Sequence, residues 1–86
     1  MTMPATAVEL QKLLEQRNLY PWYAAANGTE PHNGHALVKE GNKWVVYDYG
    51  PGTIPDEQTF DDEAQAVANL IDRLRRYGFA DYLKDV

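Results

Sequence analysis

Residues 35–49 read HALVKEGNKWVVYDY, and the pairing of this stretch with itself decides the fold. Two apolar-rich runs flank Gly41-Asn42, a pair able to adopt the positive backbone angles of a tight hairpin, so strands over 35–40 and 43–49 are expected to run antiparallel. In the first run Leu37 falls on one face and Val38 on the other. In the second, Trp44, Val46 and Asp48 alternate with Val45, Tyr47 and Tyr49, because successive side chains of a strand point to opposite faces. Both sets carry large apolar groups, which places this strand in the middle of a sheet with one face under helices and the other partly exposed.

Toward the N-terminus, Thr6 and Glu9 fit a capping box ahead of a helical stripe of Leu10, Leu13 and Leu14, ending near Asn18. Pro21 then enforces extended chain, with a first strand expected over Trp22 to Ala26 and a turn at Asn27-Gly28. Toward the C-terminus, PGTIPDE reads as a loop and Gln58 to Phe60 as a short last strand. Asp61 or Thr59 is placed to cap a second helix, in which Ala64, Val67, Leu70, Ile71, Leu74 and Tyr77 recur at three- and four-residue steps. Arg73, Arg75 and Arg76 complement its carboxyl end, Gly78 fits a left-handed cap, and Phe79 and Leu83 lie in a terminal turn. The expected fold is α+β: a two-layer domain over 1–86, with a three- or four-stranded antiparallel meander and both terminal helices on one face. So short a chain has nothing left to cover the second face.

The chemistry-bearing residues are few. The 86 residues contain no cysteine and no serine, which removes disulfides, thiolate metal sites and both common nucleophiles. His32 and His35 are the two histidines, and no third metal ligand stands at a diagnostic spacing, so no metal or cofactor is expected. The carboxylates of Asp61 to Glu63 are accounted for by the helix start, and the glycines of GPG lack the lysine of a phosphate-binding loop. No catalytic residue is assigned. Eight basic against thirteen acidic residues give a formal charge of −5, the wrong sign for direct nucleic-acid binding and the right one for a basic partner. Neither a secretory start nor a run long enough to span a membrane is visible, and a reducing cytoplasm is the expected compartment. What the sequence has in abundance is aromatic side chains, of which alternation must leave some on the open face. Exposed Tyr and Trp beside acidic groups have the make-up of a protein-binding surface, whether for another protein or for a second copy in a homodimer.

The order of signals, a leucine-bearing helix, the strand entry at Tyr20 to Tyr23, a Gly-Asn turn into KWVVYDYG, and then TFDDEAQAVANLIDRL, resembles small immunity proteins of bacterial polymorphic-toxin and contact-dependent inhibition systems. The similarity spans roughly residues 19–76. Gly50 to Gly52 reads GPG where several members of that group carry E-R-G. The resemblance implies a non-enzymatic inhibitor that binds a cognate toxin, such as a basic nuclease domain. The expected partner-contact residues are Tyr47, Asp48, Tyr49, Asp56 and Glu57, with Trp22 and His32 at the margin. The alternative is a small homodimeric or phage-encoded adaptor with a different protein partner.

Overall fold

The computed structural model describes residues 3–50 and 56–86, in which the chain forms α1 (Ala7–Gln16), β1 (Ala24–Ala25), β2 (Gly34–Glu40), β3 (Lys43–Tyr49), β4 (Glu57–Phe60) and α2 (Glu63–Leu74). A wide turn, Arg75–Phe79, and a 3₁₀ turn, Ala80–Leu83, follow. Most of the segment expected as an acidic loop, residues 51–55, lies outside the described residues, as does most of the GPG motif.

The central hairpin forms as its sequence requires. Glu40 faces Lys43 across the turn, and the ladder continues through Leu37 opposite Val46 to Gly34 opposite Tyr49. Gly41 alone carries the positive angle, with φ of 62°, as the first residue of a two-residue loop. β4 pairs antiparallel with β3, Gln58 facing Val46 and Glu57 facing Tyr47.

β1 departs from the expected meander. It is parallel to β2, so the four-stranded sheet, ordered β1-β2-β3-β4, is mixed. It is also shorter than the expected Trp22 to Ala26. The amides of Tyr23 and Ala24 both donate to the Leu19 carbonyl, at 2.7 and 3.2 Å, which holds residues 22 and 23 in a turn. Beyond β1, Asn27 folds the chain by accepting from the amide and hydroxyl of Thr29. The chain then returns beside its own start, where His32 N donates to Pro21 O, Asn33 N to Trp22 O and His35 N to Tyr23 O. β2 therefore sets out in the same direction as β1. At the meeting point a Cβ on Gly34 would lie 1.9 Å from the Tyr23 carbonyl oxygen, so only glycine permits this approach.

Both helices cover one face. α2 packs on β2, β3 and β4, and α1 packs on α2 and β1. Leu37 and Val46 meet Leu10, Leu14, Leu70 and Ile71 in one buried cluster, the apolar burial that drives folding. The capping box at α1 is present, Thr6 accepting from Glu9 N at 3.1 Å and Glu9 accepting from Thr6 N at 3.2 Å. α2 is capped by Asp62, which accepts from Gln65 N, rather than by Asp61 or Thr59. Asp61 instead pairs with Lys43, and Thr59 stands in β4. Along α2 the stripe of Val67, Leu70, Ile71 and Leu74 is buried as expected, whereas Ala64 is exposed and the buried face turns toward Ala66 and Arg73. Tyr77 is exposed because the backbone has left helical geometry there, just before Gly78 takes a φ of 102°. The C-terminal segment is fastened by Leu83, which enters the core, and by Arg17, which donates to both carboxylate oxygens of Asp85 at 2.8 and 2.9 Å.

Candidate functional site: an aromatic sheet end over a buried ion pair

Alternation from Leu37 and Val46 carries two polar residues beneath the helices: His35, two places before Leu37, and Asp48, two places after Val46. They face each other in the β2–β3 register. From α2, Arg73 falls on the same buried face as Ala66 and Leu70, at helical steps of four and three. The three side chains meet on one oxygen. Asp48 Oδ1 accepts from His35 Nδ1 at 2.6 Å and from Arg73 Nη1 at 3.0 Å. A carboxylate can only accept, so His35 carries its proton on Nδ1.

The rest of the guanidinium is also satisfied. Arg73 Nε donates to Asn69 Oδ1 at 2.8 Å, Nη1 to the Asp56 carbonyl at 2.6 Å, and Nη2 to Gln58 Oε1 at 3.4 Å. Asn69 Nδ2 closes the network on Gln58 Oε1 at 2.8 Å. No buried side-chain polar atom among the described residues lacks a partner. The network ties β2, β3 and the start of β4 to α2. Its chemistry is that of a fastening. Asp48 is therefore not a surface contact: the alternation that exposes Tyr47 and Tyr49 directs Asp48 inward, where Arg73 and His35 hold it.

Around this fastening the molecule displays rings. Trp22, 55% exposed, stacks on exposed His32 with centroids 4.8 Å apart, so the two marginal residues form one unit. Tyr23 lies against Phe79 at 4.9 Å, and Phe79 meets Tyr82 edge-on at 5.7 Å. Tyr77, itself exposed, lies over the buried His35 ring at 4.9 Å. Tyr49, 42% exposed, closes the set on β3, opposite Gly34. These rings gather at one end of the sheet, where β2 begins and β3 ends.

The face away from the helices continues from that end. It carries Tyr47 and Tyr49, with Glu57 opposite Tyr47. The Tyr47 hydroxyl donates to Glu30 Oε1 at 3.4 Å. Partial burial first, and then the negative charge of Glu30, holds the Tyr47 phenol above its ordinary range. Ala25, Ala36 and Val45 line the floor of this face and are buried. Glu57 and the Asp56 side chain are exposed, although the Asp56 backbone is fixed by Arg73.

Of the expected contact residues, the structure thus groups Trp22 with His32 and Tyr47 with Tyr49 and Glu57, and withdraws Asp48. It adds Tyr23, Tyr77, Phe79 and Tyr82, which sequence reasoning had treated as strand, stripe or terminal residues. The signal available for the buried triad was spacing: alternation sets His35 with Leu37 and Asp48 with Val46, and a helical step of three sets Arg73 with Leu70. For Tyr77, Phe79 and Tyr82 no comparable signal existed, since their placement depends on the turn at 75–79. Among the described residues no cluster of three or more potential ligands is arranged for a metal ion, and no helix is long and apolar enough to cross a membrane. Compared with protein-family models, curated proteins and solved structures, the chain matches none.

Proposed function

We propose that this chain is a non-enzymatic protein-binding domain of the cytoplasm, an immunity protein that neutralises a cognate bacterial toxin by binding it stoichiometrically. The observation that carries the reading is the concentration of exposed Trp and Tyr rings at one end of the sheet, where Tyr77 rests against the buried His35 ring. Rings of this kind, partly desolvated and rigidly mounted, supply most of the affinity in protein interfaces. The net charge of −5 supports a basic partner, such as a nuclease domain, because complementary charge speeds encounter while the buried rings slow release.

Co-expression with a toxin domain encoded beside this chain tests the reading. Growth rescue together with an equimolar complex in size-exclusion chromatography is the expected result. Toxicity that persists with no complex formed overturns it. Sedimentation of the isolated chain checks the adaptor alternative, in which the same rings would be covered by a second copy.

A further inference from the structure

The sheet face away from the helices has a chemistry more specific than general stickiness. Tyr47 and Tyr49 stand two residues apart on it, roughly 7 Å along the strand. Their β2 neighbours are the smallest available: Ala36 faces Tyr47 and Gly34 faces Tyr49. Carboxylates flank Tyr47 on both sides, Glu30 at its hydroxyl and Glu57 across the β3–β4 pair. Lys43, the cation carried by the same strand, is paired with Asp61. After burial, the charge of Glu30 also contributes to holding the Tyr47 phenol above its ordinary range.

We infer that this face receives an arginine side chain of the partner, its guanidinium stacked on the Tyr47 and Tyr49 rings and hydrogen-bonded to the carboxylates of Glu30 and Glu57. The inference rests on the protein-binding reading and names the group the partner presents. Arginine is favoured over lysine because its planar, weakly hydrated cation stacks on aromatic rings and donates to two carboxylates at once, whereas an ammonium is a compact and strongly hydrated charge.

The test uses the full chain, labelled with nitrogen-15, titrated with a capped Gly-Arg-Gly-Arg-Gly peptide and with matched lysine and citrulline peptides. Saturable shifts centred on β3, β4 and Glu30 are expected for the arginine peptide, with weaker binding of lysine and none of citrulline. Glu30→Gln combined with Glu57→Gln should weaken the arginine peptide by roughly tenfold, the loss of two charge-assisted contacts. Tyr49→Phe should leave it nearly unchanged and Tyr49→Ala should weaken it, because the ring face and not the hydroxyl makes the contact. Shifts spread evenly over all acidic surfaces, equal responses to arginine and lysine, or no response at all would overturn the inference. Rescue from a toxin without arginine binding would leave the immunity reading standing with its contact elsewhere; arginine binding without rescue would retain the site and remove the toxin.

Discussion

Arg73 of α2 reaches Asp48 of β3 at 3.0 Å, with side chains 1% and 5% exposed, so the helix layer and the sheet are joined by a desolvated ion pair as well as by apolar packing. A pair so enclosed gains little over an apolar pair of the same shape, yet breaking it leaves one charge stranded.

Removing one partner is accordingly the severe change. Arg73→Met and Asp48→Leu should each lower the free energy of unfolding by about 3–5 kcal/mol. Arg73→Met combined with Asp48→Leu should recover much of that loss. Urea denaturation of the four proteins checks the cycle; simple additivity would show that the contact is energetically idle.

The surface rings should behave in the opposite way. Trp22→Ala and Tyr49→Ala remove exposed side chains and are expected to change unfolding free energy by no more than about 0.5 kcal/mol while weakening partner binding by at least 1–2 kcal/mol. Thermal melts paired with titration calorimetry separate the two effects. Equal losses in both would place these rings among the folding determinants.

In the apolar layer, Leu74→Ala should cost roughly 2–5 kcal/mol, because Leu74 is completely buried and a rigid core closes only part of the resulting cavity. Gly34→Ala should cost about 1–3 kcal/mol by overpacking against the Tyr23 carbonyl. The readouts differ: amide exchange should loosen around α2 for the first and around residues 22–25 for the second.

The capping box gives a pH dependence of known sign. The amides of Ala5 and then Thr6 donate to the Glu9 carboxylate and hold it below the ordinary glutamate range, and the Arg17 guanidinium does the same for Asp85. A carboxyl lowered by folding adds stability that is complete above its unfolded value and vanishes as the pH falls through its folded one. Glu9→Gln should therefore be less stable than the wild type near neutrality, with the difference closing below about pH 4. Denaturation series at several pH values check this, and a gap that widened on acidification would contradict the cap.

Local rules made much of this fold legible. The hairpin at Gly41-Asn42, the cap at Thr6, the leucine stripes and the inside-outside alternation of β3 all follow from residues within a few places of one another, where backbone sterics and side-chain period act directly. The same alternation showed that Tyr47 and Tyr49 share a face. It also put Asp48 opposite them, although a contact role at the surface was expected for it, because a carboxylate reads as exposed until its buried partner is known.

The sequence by itself thus determined an α+β chain with a strong hairpin, two amphipathic helices and more aromatic side chains than one side of a sheet can hide. Only the tertiary structure decided that β1 runs parallel to β2, that Arg73 turns inward to meet Asp48 and His35, and that Tyr23, Tyr77, Phe79 and Tyr82 join Trp22 and Tyr49 at one end. The first two depend on groups that only the fold brings together: a Tyr23 carbonyl that tolerates nothing larger than Gly34, and a buried carboxylate whose cost of desolvation is offset only when a guanidinium 25 residues away reaches it.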